Sequence, residues 1–395
     1  MNDIYILEGA RTAFTSFGKS FATVGPTELG VATAKEAMKR SQVSPQEIEQ
    51  VIYGNVIHSS TNAPYVARHI ATKSGIPAET PAMLVNRLCG SGLQSVISGV
   101  HSLLLNEGTT ALLGGVENMS MSPHVSFTNR FGHPKLGNVL FEDMLLLTLR
   151  DEAIGNGMGI TAENLSEQYG ISREEQDEFS AISHQRASVA IHSGRFEREI
   201  VPVEVQERKE VLTVATDEHV RSTTSLEGLA KLRPTFKKDG SVTAGNSSGI
   251  NDGAVSMVIA TEPFVRKKGI NPLAKIRSWA VCGVDPSVMG IGPVPAIKLA
   301  LERAELSIDQ IDLFEVNEAF AAQYLAVEKE LNLDREKTNV NGGAVALGHP
   351  VGASGSRLLL SLAYELLLQN KRFGVASLCI GGGQGIAMVI ENENI

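Results

Sequence analysis

The sequence predicts an α/β protein built from two similar halves with a different segment inserted between them. Three observations predict it. Short apolar runs alternate with helical periodicity at both ends of the 395-residue chain, which implies a mostly parallel sheet covered on both faces. One pattern occurs twice: near Ala37 and again near Ala300, a helix ends, a serine follows (Ser44, Ser307), then an isoleucine (Ile48, Ile311), and a strand begins. A charged central stretch matches neither copy.

Taken in order, Ile4-Tyr5-Ile6-Leu7 reads as a buried strand, 28–40 as a helix, Val51-Ile52-Tyr53 as a strand and 64–73 as a helix. Ala82-Met83-Leu84-Val85 reads as a short buried strand. Leu93, Val96, Ile97, Val100, Leu103 and Leu104 then fall on one helical face. Residues 111–115 read as another buried strand, 177–193 as an exposed helix and 199–203 as an edge strand. Near the end, 357–369 reads as a core helix and 375–380 as a strand running into glycines. The division is an N-terminal half, 1–120, resuming at about 245–269; an inserted loop domain, 121–245; and a C-terminal half, 270–395.

The formal charge of −9 argues against nucleic acid or an anionic membrane as partner. Three widely spaced cysteines, Cys89, Cys282 and Cys379, fit neither a disulfide framework nor a zinc site, and no metal is expected. They suit a reducing compartment. Met1-Asn2-Asp3-Ile4 carries no leader, and no apolar stretch of about 18 residues stands out, so a cytoplasmic chain is expected.

Four stretches could carry chemistry. Cys89, in Asn86-Arg87-Leu88-Cys89-Gly90-Ser91-Gly92, lies where a strand turns into a helix. Free N–H groups and the helix dipole there favour a thiolate, and Gly90 and Gly92 would leave the sulfur uncrowded. A buried cysteine beside a tight turn is more often inert. His349 lies between Gly348 and Pro350 and could project from a turn towards a ligand, or simply bond to backbone. Cys379 ends a strand and precedes Gly381-Gly382-Gly383. A phosphate loop is the rival reading there, but it lacks the lysine and hydroxyl. Asn317, in Asn317-Glu318-Ala319-Phe320, could cap a helix. Pooled, these stretches supply a nucleophile, a base, N–H donors for an oxyanion and a second thiol for proton transfer, tunable towards neutral pH.

With Gly114-Gly115-Val116-Glu117-Asn118-Met119-Ser120, these motifs make the chain resemble the thiolases, the acetyl-CoA acetyltransferase and 3-ketoacyl-CoA thiolase family, over nearly its whole length. The resemblance implies the duplicated thiolase fold: two similar α/β halves with mixed, mostly parallel sheets packed in layers, plus an inserted loop domain. It implies an acyl-CoA C-acyltransferase that makes or thiolytically cleaves 3-ketoacyl-CoA through a Cys89 thioester. His349 would activate Cys89, and Cys379 would move the α-proton. Asn317 would hold a water that forms one oxyanion hole with His349. The N–H groups of Cys89 and Gly381 would form the other. Coenzyme A or acetyl-CoA would be substrate, with no tightly bound cofactor. Arg221 would approach its nucleotide, Ser248 the pantetheine amide, and Leu149, Met158, Phe236, Ala319 and Phe320 would line the channel. A homodimer or homotetramer is implied.

One residue departs from the pattern. Short-chain members typically carry a histidine before the Met-Gly pair, where this chain has Gly157-Met158-Gly159. The smaller residue implies room for acyl chains longer than acetoacetyl. Two alternatives stand beside the thiolase reading. A ketoacyl synthase-like condensing enzyme would lack a second catalytic cysteine. A non-catalytic acyl-CoA-binding scaffold would be expected to have lost Cys89 or His349.

Overall fold

A computed structural model describes residues 3–132, 136–207 and 210–394. Met1 and Asn2, part of the reading of the N-terminus, lie outside the described residues. The first half runs β1 (Ile4–Arg11), α1 (Pro26–Ser41), β2 (Gln50–Gly54), α2 (Val66–Lys73), β3 (Ala82–Val85), α3 (Ser91–Leu104) and β4 (Thr110–Asn118). The chain then leaves the main sheet for α4 (Met158–Tyr169), α5 (Arg173–His192) and several short hairpins, and returns as β5 (Asn251–Thr261). The second half is β6 (Ala274–Gly283), α6 (Pro293–Ala304), β7 (Leu313–Val316), α7 (Ala321–Leu331), α8 (Val351–Leu368), β8 (Phe373–Ile380) and β9 (Gln384–Glu391).

The repeat has a physical basis. Both α1 and α6 have proline in the first turn and end at a left-handed residue, Gln42 (φ 57°) and Glu305 (φ 56°). Each is followed by a single 3-10 turn closed by a capping box, Ser44 with Glu47 and Ser307 with Gln310. The same local instructions therefore deliver β2 and β7 onto the sheet.

The strands form one ten-stranded sheet in the order β7-β8-β9-β6-β1-β5-β4-β2-β3, with Thr15–Ser16 added beside β5. About the β1·β6 junction, where Ile4 faces Ile276 across an antiparallel pair, four strands of each half correspond in order, and β3 adds a fifth at the edge of the first half. Parallel pairing is confined to the flanks, at β2·β3, β2·β4 and β7·β8, rather than filling most of the sheet. Helical crossovers allow those three pairs. The centre is antiparallel because a short glycine turn joins β8 to β9 and because the two halves meet head to tail.

Helices α3 and α8 share one buried cluster with strands of both halves; Leu93, Val96 and Ile97 meet Leu358, Leu359 and Leu362 there. Helices α1 and α2 cover the outside of one half, and α6 and α7 that of the other. This inner position explains α8, which starts at Val351 rather than 357 and is buried nearly all round. It is apolar and long enough to cross a membrane, contrary to the sequence reading, but it lies inside the protein.

Three further expectations change. β3 is an edge strand and Met83 on it is exposed, so it is not fully buried. α5 buries Phe179, Ser183, His184 and Ala187 on one face. The strand expected at 199–203 begins at Val203 instead. Residues 199–201 serve a different purpose: Arg11 on β1 pairs with Glu199 (2.9 Å) and with both oxygens of Asp217 (2.7 and 2.9 Å), and Arg195 pairs with Glu199 (2.6 Å) and Glu365 of α8 (2.5 Å). The Arg11, Glu199 and Asp217 side chains are essentially inaccessible, and the two arginines hold the Glu199 carboxyl below its ordinary range against the upward push of burial. This network fastens the central segment to the sheet. Glu199→Ala leaves two buried cations short of a partner and is expected to lower the unfolding free energy by about 3–5 kcal/mol. Chemical denaturation measures it; a loss under about 1 kcal/mol would mean the network is dispensable.

Candidate active site

Cys89 occupies a strained elbow. Between β3 and α3, Leu88 has φ 46°, a left-handed conformation that costs a leucine about 1–2 kcal/mol. Local bonds hold it: Leu88 N–H donates to Asn86 Oδ1 (2.9 Å), Arg87 N–H to Ser91 Oγ (2.8 Å), and Ser91 Oγ–H to the Leu88 carbonyl (2.7 Å). The helix thus starts two residues after Cys89, with Gly90 as its cap. The glycines do not serve the sulfur. A β-carbon on Gly90 would collide with Ile380 (2.5 Å), and one on Gly92 with the backbone of Ser356 (2.7 Å). Gly92 is needed so that the backbone of the second half can approach the elbow, whereas at Gly90 the obstacle is the tip of the Ile380 side chain.

That approach brings Gly381, in the β8–β9 turn, to the nucleophile candidate. The N–H groups of Gly381 and of Cys89 itself favour the Cys89 thiolate. Burial nonetheless wins: the thiol is pushed above its ordinary value, with the two N–H groups pulling the other way. The expected lowering does not occur, because Cys89, though part-exposed, packs in an apolar cluster with Val56, Ile57, Leu88, Leu149 and Val351 that desolvates its thiolate. Cys379, at the end of β8, lies within electrostatic reach of Cys89. Its thiol is pushed far up, first by burial and then by Cys89, rather than tuned near neutrality.

His349 precedes α8. Its backbone N–H donates to Asn251 Oδ1 (3.0 Å). Its Nδ1 lies 2.6 Å from Ser354 Oγ, whose own proton goes to the Pro350 carbonyl (2.9 Å). With the Ser354 proton on the Pro350 carbonyl, Nδ1 donates to Ser354 Oγ, and this assignment leaves Nε2 as the free base. Nε2 faces Asn317 Nδ2 at 3.5 Å. Burial, helped by the Arg357 charge, lowers the imidazole to about 4, so it is neutral at neutral pH. Among the described residues no hydrogen bond joins Cys89 to His349. Cys89 shares an apolar cluster with Val351, two residues after His349 in the chain. Such bonds commonly close only around substrate.

Asn317 does not cap a helix. It follows β7, donates its N–H to the Ser377 carbonyl (2.9 Å), and the cap of α7 is Phe320. Its side-chain Oδ1 is buried without a partner among the described residues. Among the expected channel residues, Ala319, Phe320 and Met158 cluster with Cys379. Phe236 packs edge-on against Phe320, with ring centres 5.9 Å apart. Ser248 N–H donates to the Ala319 carbonyl (3.0 Å), and Met158 N–H to the Leu149 carbonyl (3.0 Å). Arg221 stands apart, exposed at the rim of a cavity of about 620 Å³ that His184, Ser188 and His192 also line.

The sequence alone does not single out Ser354 or Asn251. Ser354 lies in the small-residue run after His349, and asking what orients the imidazole would find it. Asn251 is 98 residues away and reaches His349 only through the fold. The assembled set is a thiol under two N–H donors, a neutral imidazole base, a second buried thiol and an unpartnered amide oxygen. It can accept an acyl group, stabilise an oxyanion and move a proton.

Comparison with known proteins agrees. A family model described as thiolase, N-terminal domain, matches residues 4–263, and thiolase, C-terminal domain, matches residues 270–392. The chain is 48% identical over 392 residues to the mitochondrial 3-ketoacyl-CoA thiolase of Pongo abelii, covering 99% of both chains. It is 44% identical over 390 residues to beta-ketothiolase BktB of Cupriavidus necator, covering 98% of this chain and 99% of the relative. The crystal structure of human mitochondrial 3-ketoacyl-CoA thiolase in complex with CoA superimposes with a TM-score of 0.95 at 47% identity, over 99% of this chain and 98% of the other. These relatives overturn the cytoplasmic expectation: mitochondrial and bacterial proteins match alike, so reduced cysteines and a plain N-terminus do not assign a compartment. On matching both halves, with an α/β fold that superimposes end to end, the chain belongs to the thiolase family.

Proposed function

We propose that this chain is an acyl-CoA C-acyltransferase that makes or thiolytically cleaves 3-ketoacyl-CoA in two steps. The observation that carries this reading is the convergence of the Gly381 N–H and Cys379 on the Cys89 sulfur. In the first step of synthesis Cys89 attacks the thioester carbonyl, its proton passes to His349 Nε2, the carbonyl–sulfur bond breaks, and the expelled CoA thiolate takes the proton of Cys379. The N–H groups of Cys89 and Gly381 take the charge of the oxyanion. In the second, the Cys379 thiolate takes the α-proton of a second acyl-CoA, the enolate carbon attacks the acyl carbonyl, and Cys89 leaves and recovers its proton from His349; cleavage runs the same steps in reverse. Asn317 Oδ1 holds a water that stabilises the enolate oxygen together with His349, whose Nε2 then carries the proton taken from Cys89. Both carbonyl-side charges meet donors already aimed, which suits a weak carbon acid.

Coenzyme A enters as substrate, with no tightly held cofactor. Its nucleotide lies by Arg221 and its pantetheine arm by Ser248, and Leu149, Met158, Phe236, Ala319 and Phe320 wall the channel. Residues 121–245 act as a loop domain over the two halves, 1–120 with 245–269, and 270–395. The exposed Met83 on an edge strand supports a homodimer or homotetramer. A condensing enzyme without a second cysteine, or a scaffold without the nucleophile and base, accounts less well for Cys89, His349 and Cys379 together.

Chain length tests the substrate range. A β-carbon on Gly157 would have only the Leu149 carbonyl oxygen nearby, at 3.7 Å, so the space beside it is open. Acetoacetyl-CoA and medium-chain 3-ketoacyl-CoA are both expected to be cleaved. Gly157→His is expected to cut kcat/KM for the medium chain about tenfold relative to acetoacetyl-CoA. A strict preference of the parent enzyme for acetoacetyl-CoA would sink the longer-chain reading.

The pH profile tests the base. His349, held at about 4, is unprotonated throughout the neutral range. A histidine at its ordinary value would lose about tenfold of its base form between pH 7.5 and 5.5. The expected result is kcat/KM changing less than about threefold over that interval for this group. An acid limb centred near 6.5 would show that His349 is not the base or is not buried in the working enzyme.

A further inference from the structure

Glu117, at the end of β4, is fully buried and has no part in the chemistry above, yet it touches both sides of the site. Its Oε1 accepts from Asn55 Nδ2 (2.9 Å) and Ile57 N–H (3.1 Å). Its Oε2 accepts from Val56 N–H (3.1 Å) and from Gly352 N–H (3.0 Å). All four acceptor sites of the carboxylate are therefore filled by N–H donors. Three belong to the 55–57 loop of the first half, and the fourth to the first turn of α8 in the second half.

Each of these partners leads to a reacting group. The 55–57 loop supports the elbow. Asn55 N–H donates to the Val85 carbonyl at the end of β3 (3.3 Å), and Asn86 Nδ2 reaches the Val56 carbonyl (3.4 Å) while Asn86 Oδ1 holds Leu88. Val56 and Ile57 pack in the same cluster as Leu88 and Cys89. Gly352 lies three residues after His349 and two before Ser354, the residue that fixes the imidazole.

We infer that Glu117 is the positioning residue that sets the Cys89 elbow and the His349 turn against each other across the two halves. It touches no substrate and acts through the two loops; its charge also adds, as the smallest contribution, to the upward push on the Cys89 thiol. Burial pushes the Glu117 carboxyl up to about 8, with the Ile57, Val56 and Gly352 N–H groups pulling the other way; because all four partners are donors, the geometry is that of the carboxylate, which the first turn of α8 also favours. This inference rests on Cys89 and His349 being the nucleophile and base.

Glu117→Gln tests it. The amide keeps the volume, but its NH₂ must face two of the four N–H donors whichever way it turns, so one loop is released. The folded variant is expected to keep KM for acetoacetyl-CoA within about threefold while kcat falls about 100-fold, the cost of misplacing reacting groups by roughly 1 Å. Because Ser354 orients the same imidazole, the losses of Glu117→Gln and Ser354→Ala are expected to be non-additive in the double variant. Wild-type kcat in folded Glu117→Gln, or fully additive losses, would overturn the inference. If Glu117→Gln does not fold, Glu117→Asp decides: it keeps the charge but is one methylene too short to span both loops. A kcat within about threefold of wild type in that variant overturns the inference too. Loss of activity in Cys89→Ser with normal kcat at Glu117→Gln would defeat this inference alone, whereas activity surviving in Cys89→Ser would defeat the mechanism it rests on.

Discussion

Replacing Cys89 by serine is expected to reduce thiolysis of acetoacetyl-CoA by on the order of 10³ to 10⁶-fold, with the protein still folded. The reason lies in the electrostatics of the elbow. Burial raises the Cys89 thiol, and the base beside it is a neutral imidazole held at about 4. A thiol is still within reach of such a base once the Gly381 and Cys89 N–H groups solvate the thiolate. An alcohol, several units less acidic, is not. The hydroxyl oxygen of the variant would also sit farther from those N–H groups, because the C–O bond is shorter than C–S. Cys282 provides the control. It is half-exposed on β6 and packs against the outer cluster of the second half, so Cys282→Ser is expected to keep full activity. Loss of 3-ketoacyl-CoA followed by absorbance measures both. More than a tenth of wild-type kcat in Cys89→Ser would remove Cys89 from the mechanism.

The parts of the molecule legible in the sequence are those fixed by local rules. Proline-initiated α1 and α6, their left-handed caps and the Ser44 and Ser307 turns lie within a few residues of their partners, so the duplication can be read directly. Cys89, His349, Cys379 and Asn317 stand out because each lies by a turn whose glycines or polar residues have no obvious packing purpose. The illegible parts depend on contacts distant in the chain. Gly90 and Gly92 look like clearance for a sulfur until Ile380 and Ser356 arrive from the other half. The direction of the Cys89 shift depends on how deeply the second half buries the elbow, and no local motif reports burial. The Arg11–Glu199–Asp217 network spans about 200 positions and hides inside what reads as a solvated insert.

Cys379→Ala is expected to separate the two chemical steps. Acylation of Cys89 by acetyl-CoA needs the thiol, the imidazole and the Gly381 N–H, none of which alanine in place of Cys379 removes. Proton exchange at the α-carbon does need Cys379. Overall turnover is therefore expected to fall about 10²- to 10⁴-fold, while acetylation of Cys89, read by intact-protein mass, stays within about tenfold of wild type. The order of the steps follows from the charges. Cys379 is pushed up by burial and, second, by Cys89. That second push comes from the Cys89 thiolate and not from its neutral thiol; a thioester cannot ionise, so the acyl-enzyme never sets that charge against Cys379. In cleavage the logic runs backwards: while Cys89 retains its ionisable thiol, Cys379 keeps its proton and is ready to deliver it to the departing enolate carbon. An enzyme in which Cys379→Ala turned over at more than half the wild-type rate, or in which Cys89 acetylation fell as far as turnover, would not divide its work between two cysteines in this way.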